Sequence, residues 1–181
     1  MAQSSPTRIR LAGEADLAGL AEFARATFSE AFGQDVDRSV LQQHLEEQMS
    51  DSRFASMMAQ DVFYLACSGD QLSGFVQLGD VAPSYGEHAD AFDPAAGEIR
   101  RLYVRRELQG RGIGSALLRR ALDDDRLCGR GRVYLTTWHA NLGAQRLYTR
   151  WGFSKVGQIP EFARDGSING YEHIMVRSVS G

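Results

Sequence analysis

The hydrophobic pattern of the N-terminal third alternates between strand and helix spacing. Residues 7–12 have the alternation of a short strand. From residue 13 to about residue 32, apolar side chains recur every three or four positions, which predicts an amphipathic helix that Gly33 ends. Asp37 is predicted to cap a second helix, and residues 54–58 are predicted to add a short turn.

The rest of the chain alternates strands, turns and two further helices. The remaining predicted strands cover residues 62–67, 72–78, 99–104, 133–138, 153–159 and 171–176. Helices are predicted from Ile113 to near Cys128 and from Asn141 to Trp151, and residues 80–97 form a long loop. This order predicts an α/β (α+β) fold whose mixed, mostly antiparallel central sheet has about seven strands flanked by helices. We expect one domain over residues 7–181 after a disordered tail at residues 1–6.

Composition narrows the classes of function. The 181 residues, 43% of them hydrophobic, suit one domain with a sizeable core. The formal net charge of −3 gives no electrostatic reason to expect nucleic acid as a partner. The two cysteines have no disulfide or metal-ligand spacing, and no metal is expected. Since no apolar run is long enough to span a bilayer and residues 1–6 lack signal-peptide features, we expect a cytoplasmic protein without a membrane partner.

A glycine-rich turn follows the strand at residues 99–104 and leads into the helix that starts at Ile113. Gly110, Gly112 and Gly114 expose backbone N–H groups at a helix N-terminus, which is a typical anion site. A nucleotide-hydrolysing P-loop is excluded because Lys-Ser/Thr does not follow the glycines. A dinucleotide fold is disfavoured by the Gly-x-Gly-x-Gly spacing and mid-chain position. A plain connector is disfavoured because each glycine costs about 0.5–1 kcal/mol to order relative to alanine.

Two motifs at their expected spacing resemble those of the GNAT N-acetyltransferase superfamily. The first is the turn Gln109-Gly110-Arg111-Gly112-Ile113-Gly114, which is similar to the family signature (Arg/Gln)-x-x-Gly-x-(Gly/Ala). The second comprises Asn141, Ala144, Tyr148, Gly152 and Phe153. The resemblance covers nearly the whole chain and implies the GNAT-like acyl-CoA N-acyltransferase fold. Within the family, the N-terminal helix and the Thr137-Trp138-x-x-Asn141 segment are most similar to PaiA-like polyamine acetyltransferases.

The resemblance implies acetyl-CoA as cosubstrate. It places the pyrophosphate on the N–H groups of the glycine turn and the pantetheine arm beside the backbone of the preceding strand. The cofactor-binding residues that it implies are Leu102, Tyr103, Val104, Gln109, Gly110, Arg111, Gly112, Ile113, Gly114, Ser115, Asn141 and Tyr148. Asn141 is equally suited to cap a helix. Arg105 and Arg106 are either further phosphate contacts or solvated surface charges.

The resemblance also implies two catalytic residues. Tyr148 matches the general acid beside the coenzyme sulfur, with a core aromatic as the alternative interpretation. Glu98 matches the base position of the histone-modifying branch, and a water chain ending on it is expected to remove the amine proton. The animal spermidine/spermine enzymes place this glutamate where the present chain has Arg100, so a structural carboxylate at Glu98 stays open. His139 is a reserve base.

Acidic residues in the first two helices and the long loop suggest a cationic amine acceptor, such as a polyamine. They are Glu30, Asp35, Asp37, Glu46, Glu47, Asp80, Glu87, Asp90 and Asp93. Ordinary solvated acids are the alternative. The predicted function is transfer of the acetyl group from acetyl-CoA to a primary amine by direct attack in a ternary complex. The alternatives are a non-catalytic acyl-CoA-binding module, a site for another phosphate compound, and a protein N-terminal or lysine acetyltransferase. The sequence leaves a homodimer open.

Overall fold

The computed structural model describes residues 7–32, 38–162 and 167–179. Its strands are β1 (Thr7–Leu11), β2 (Val62–Ser68), β3 (Gln71–Asp80), β4 (Gly97–Val104), β5 (Arg132–Trp138), β6 (Ser154–Phe162) and β7 (Ile168–Ser178). Its helices are α1 (Leu17–Phe32), α2 (Arg38–Gln48), α3 (Asp51–Gln60), α4 (Ile113–Leu122) and α5 (Leu142–Arg150). The predicted tail at residues 1–6, the stop at Gly33 and the cap at Asp37 lie outside the described residues.

The strands form one seven-stranded sheet in the order β1-β2-β3-β4-β5-β7-β6. The pairs β1–β2, β5–β7 and β6–β7 are antiparallel, whereas β4 and β5 are parallel. The parallel register joins Gly97, Glu98 and Ile99 to β5 and stops there, although β4 continues to Val104. The predicted mixed, mostly antiparallel sheet is therefore confirmed.

Two helix boundaries differ from the sequence-based prediction. A full helix, α3, occupies Asp51–Gln60, where only a short turn at residues 54–58 was expected. Ser50 caps it by accepting a hydrogen bond from the Arg53 N–H, and this local signal was missed. Helix α4 ends at Leu122 instead of continuing to Cys128. Three consecutive aspartates follow Leu122, and negative charge at a helix C-terminus is unfavourable.

The chain packs as two compact units, each of which is described by itself. The first comprises Met1–Gln77 and Arg101–Ala121, and the second comprises Leu78–Arg100 and Leu122–Gly181. The core of the first unit consists of Leu20, Ala21, Phe23, Ala24, Met49, Phe54, Phe63, Leu65 and Phe75. The rings of Phe23, Phe54 and Phe63 all approach Phe75, at centroid distances of 6.1, 6.5 and 6.1 Å. The expectation of a single domain stays a prediction.

The core of the second unit lies between the sheet and the long loop at residues 81–96. Its buried members are Val81, Tyr85, Ala96, Tyr134 and Ile174. A short 3₁₀ segment, Pro83–Glu87, inserts Tyr85 into this core, where its ring centroid lies 6.4 Å from that of Tyr134. The loop is thus a packed element of the second unit. No helix in the described part of the chain is long and apolar enough to cross a membrane.

Close packing in the first unit makes Gly74 sensitive to substitution. A Cβ at this position would lie 2.6 Å from the Tyr103 carbonyl oxygen and 3.3 Å from Val104 Cα. We expect Gly74→Ala to lower the free energy of unfolding by about 1–3 kcal/mol, because backbone atoms would have to move. Gly19→Ala is the control, since Gly19 is in helix α1 with no neighbouring atom within 4 Å of a Cβ. It should stabilise by about 0.5 kcal/mol. Urea unfolding followed by circular dichroism measures both, and equal effects would contradict the packing argument.

Candidate functional site

In the first unit, the glycine turn between β4 and α4 has a backbone that few residues other than glycine adopt. Gly110 and Gly112 have φ angles of 77° and 85°, in the left-handed region. A Cβ at either position would have no protein atom within 4 Å. Crowding by the protein therefore does not explain these two glycines, whereas the backbone conformation does.

The backbone N–H groups of this turn form a donor surface. Within the described residues, the N–H groups from Gly110 to Ser115 donate to no backbone carbonyl, and the first to do so is that of Ala116, at 2.9 Å from the Gly112 oxygen. The side chain of Gln109 donates from Nε2 to the Val104 carbonyl at 3.2 Å, which ties the turn to the end of β4. Free N–H groups at the N-terminus of α4 suit a pyrophosphate.

The last residues of β4 are half-buried, and their neighbours in the first unit fix them. The Arg105 N–H donates to the Ser73 carbonyl at 3.0 Å, and the ring of Tyr103 packs edge-on against Phe75 at 5.3 Å. The Arg105 guanidinium donates to the Leu72 carbonyl at 2.8 Å. These contacts give Arg105 a structural role; its side chain is exposed, and its contact with phosphate stays a prediction.

In the second unit, Glu98 is a buried carboxylate with only 4% of its surface exposed. The Tyr85 hydroxyl donates to its Oε1 at 2.7 Å, and the Ala82 N–H donates to its Oε2 at 2.9 Å. Arg100 donates to the same Oε2 at 3.3 Å and to the Asp80 carbonyl at 2.8 Å. Hydrogen bonds from three groups offset the cost of burying this charge.

Two other ionisable groups of the second unit, Tyr85 and Glu172, have raised pKa values. Burial raises the pKa of Tyr85 well above its usual value, and the charge of Glu98 adds to this effect, whereas hydrogen bonding by Thr136 opposes it. Burial also raises the pKa of Glu172, with hydrogen bonding by Thr136 acting in the opposite direction and the charge of Glu161 adding to the rise. In the sheet, Thr136 pairs with Ile174, two positions from Glu172 on β7.

The other predicted residues of the second unit occupy helix α5. Asn141 caps this helix, because its Oδ1 accepts a hydrogen bond from the Ala144 N–H at 3.1 Å. Its side-chain amide nitrogen is not used by the cap. Tyr148 is 6% exposed, and its ring packs edge-on against Phe153 at 6.0 Å. Both positions agree with the roles that the sequence suggested, and both roles stay predictions.

His139, the reserve base, lies at the end of β5. Its ring packs against Trp138 at a centroid distance of 4.5 Å, and its backbone N–H donates to the Tyr171 carbonyl at 2.9 Å. The side chain is half-buried. Its role as a reserve base stays a prediction.

Comparison with known proteins identifies the family of this chain. The family model described as "Acetyltransferase (GNAT) family" matches residues 19–153. The chain belongs to the GNAT acetyltransferase family. It is an acetyl-CoA-dependent N-acetyltransferase. It is 26% identical over 147 residues to an uncharacterised N-acetyltransferase in the pepI 3′ region of Lactobacillus delbrueckii subsp. lactis, over 80% of this chain and 83% of that protein.

Solved structures show the same GNAT fold. The PaiA N-acetyltransferase from Thermoplasma acidophilum, in complex with coenzyme A, has a TM-score of 0.71 and 20% identity, over 96% of this chain and 99% of that one. The ribosomal-protein-S18-alanine N-acetyltransferase from Escherichia coli has a TM-score of 0.67 and 18% identity, over 97% and 96%. Enzymes named for different acceptors match about equally well, so the resemblance to PaiA does not identify the acceptor.

The predicted site residues fall into two groups. The phosphate turn and Leu102 to Val104 lie in the first unit, while Glu98, Asn141 and Tyr148 lie in the second. The sequence analysis did not identify Tyr85, whose hydroxyl donates a hydrogen bond to Glu98 in the structure. The available signal was weak: a tyrosine between Pro83 and Gly86 in a long loop.

Coenzyme A binding should depend on glycine at position 112. We expect Gly112→Ala to raise the coenzyme A Kd at least tenfold, since an added methyl and a shifted backbone disturb donors that serve a charged group. Gly69→Ala is the matched control, because Gly69 also has a positive φ of 59° with no atom within 4 Å of a Cβ, but lies in the β2–β3 turn. Both variants should carry similar backbone strain. Isothermal titration calorimetry measures the Kd, and equal Kd values for the two variants would contradict this role.

Proposed function

We propose that this GNAT enzyme acetylates a primary amine by direct attack, with Glu98 accepting the amine proton through water and Tyr148 protonating the leaving thiolate. The observation that carries the proposal is the buried carboxylate of Glu98, 4% exposed and held by three donors. An alkylammonium with a pKa near 10 has to lose a proton before it can attack, so a positioned base is required.

The ammonium first gives one proton, by way of water, to Glu98. The neutral amine nitrogen then forms a bond to the acetyl carbonyl carbon. As the carbon–sulfur bond breaks, Tyr148 donates a proton to the sulfur, and the second proton of the nitrogen restores the Tyr148 hydroxyl; the proton on Glu98 passes to solvent. Backbone N–H groups of Leu102 to Val104 are proposed to stabilise the oxyanion, and the free N–H groups of the glycine turn to hold the pyrophosphate. Asn141 is proposed to contact the pantetheine arm while it caps α5.

For the acceptor, we propose a small amine with a second positive charge, such as a polyamine. The support comes from the second unit. Glu172 is half-buried and Glu161 is exposed. The register pairs Glu172 with Ile159 and Glu161 with Gly170, so both acids lie on the same face of β6 and β7. Within the described residues, neither acid forms an ion pair. A cationic acceptor would be attracted to this face.

The exposed acids of helix α2 and the loop give less support than the sequence suggested. Glu46 accepts a hydrogen bond from Gln42 at 2.6 Å, and Glu47 accepts one from Gln43 at 2.9 Å. Asp80 pairs with Arg130 at 2.7 Å. Contacts between exposed groups contribute little energy, but they show that these carboxylates are already engaged.

A matched pair of amines tests the acceptor class. Cadaverine and n-pentylamine have the same chain length, and only cadaverine has a second ammonium. We expect kcat/KM for cadaverine to exceed that for n-pentylamine at least tenfold, and the ratio to fall as salt is added. Release of coenzyme A thiol measures the rate, with spermidine and an alanine-terminated peptide in the same panel.

The outcomes separate the alternatives. A preference for n-pentylamine would contradict the cationic acceptor, and a preference for the peptide would favour a protein N-terminal acetyltransferase. If no amine in the panel supported thiol release while coenzyme A bound tightly, direct acetylation of such amines would be the wrong proposal.

Tyr148→Phe tests the general acid. Because the phenylalanine ring keeps the packing against Phe153, we expect the variant to fold. Since the proton donor is lost, kcat should be about 100-fold lower, with little change in KM for acetyl-CoA. Tyr134→Phe is the control, since it also removes a buried tyrosine hydroxyl, one that lies 3.4 Å from the Ala91 carbonyl. An unchanged kcat for Tyr148→Phe would assign Tyr148 to the core alone.

A further inference from the structure

Two donors to Glu98 come from one segment, the start of the loop at residues 81–96. The Ala82 N–H and the Tyr85 hydroxyl donate to different oxygens of the carboxylate, at 2.9 and 2.7 Å. Arg100 adds a longer contact, at 3.3 Å, from β4 itself. The direction in which the Glu98 carboxylate faces is therefore set by the loop more than by its own strand.

The loop is fixed at its far end by close backbone contacts. His88 and Ala89 pass so near Gly157 that a Cβ there would lie 1.9 Å from the His88 carbonyl oxygen. The Asp90 N–H donates to the Val156 carbonyl at 3.1 Å, and Ala89 forms a β-bridge with Gly157. The loop thus has little freedom to shift relative to β6.

The Tyr85 hydroxyl is the donor in its hydrogen bond with Glu98. Tyr85 is buried, and its hydroxyl donates to Oε1 of Glu98 at 2.7 Å. Burial and the nearby carboxylate keep the hydroxyl protonated, so it acts as a donor throughout the neutral pH range. A buried charge-assisted hydrogen bond of this kind is stronger than one between neutral groups.

We infer that Tyr85 is a positioning residue for the proton acceptor Glu98. This inference rests on the proposed role of Glu98. Tyr85 holds the carboxylate in one orientation and favours its ionised form, which is the form that accepts a proton. The charged and titratable groups near this pair are Arg100 on β4, Tyr134 on the paired position of β5, and Glu172 on β7, whose charge acts on Tyr85.

The test is the pH profile of kcat/KM for Tyr85→Phe, with acetyl-CoA and cadaverine. Removing the donor disfavours the ionised carboxylate, so the acid limb of the profile should move to higher pH by about one unit. At neutral pH, kcat should fall about tenfold, with little change in KM for acetyl-CoA. Tyr134→Phe is the matched control: Tyr134 occupies the β5 position paired with Glu98, but its hydroxyl lies 3.4 Å from the Ala91 carbonyl, so its removal should leave the acid limb in place.

Tyr85→Phe keeps the ring that packs against Tyr134, so the variant is expected to fold. A second readout tests the inference if cadaverine is a poor acceptor. Titration of ¹³C-labelled glutamate carboxyls by NMR, with Glu98→Gln used to assign the Glu98 signal, should show its midpoint at higher pH in Tyr85→Phe than in the wild type. This readout requires no turnover.

The failures can be told apart. An active wild type, an inactive Glu98→Gln and an unmoved profile for Tyr85→Phe would overturn the role of Tyr85 while leaving the proposed base intact. Full activity of Glu98→Gln would overturn the base, and the inference with it. Equal shifts in Tyr85→Phe and Tyr134→Phe would show that both act through general loss of core packing, and would also overturn the positioning role.

Discussion

The burial of the Glu98 carboxylate is the constraint on which the second unit depends. An ionised group with 4% of its surface exposed costs several kcal/mol unless hydrogen-bond donors replace the lost water. Arg100 on strand β4 donates to the carboxylate at 3.3 Å, and the shorter hydrogen bonds, from Ala82 and Tyr85, come from the loop that precedes the strand. That loop must keep one conformation to present Ala82 and Tyr85. Its dense contacts with β6 and its insertion into the core follow from this requirement.

Gly74 and Gly157 differ physically from the two turn glycines Gly110 and Gly112. Gly74 and Gly157 are crowded: a Cβ would lie 2.6 and 1.9 Å from carbonyl oxygens. Gly110 and Gly112 are uncrowded but have positive φ angles of 77° and 85°. In the first kind the protein itself excludes a side chain. In the second the protein leaves space above a row of free N–H groups, as expected of a surface that a phosphate approaches.

Local signals in the sequence predicted much of the fold and the phosphate turn. The glycine turn and the Asn141 cap depend on residues within a few positions of one another, and periodicity predicted all seven strands. Helix α3 was missed because its Ser50 cap was overlooked, and α4 was predicted too long because its apolar spacing outweighed the aspartates beyond Leu122. The contact between Tyr85 and Glu98 could not be predicted, because the two residues are 13 positions apart and meet through tertiary packing.

The electrostatic argument for a cationic acceptor changes when burial is considered. Exposed carboxylates such as Glu46 and Glu47 lie in water of high dielectric constant, where ions screen them within about 10 Å. A carboxylate away from water acts on a nearby cation much more strongly, because the local dielectric is lower. Glu172 is half-buried, and burial raises its pKa because the ionised form is less favourable there. A bound cation would favour its ionised form, so binding of a charged amine and ionisation of Glu172 should be coupled. The acceptor preference proposed for this enzyme therefore depends on the sheet more than on the acidic helix.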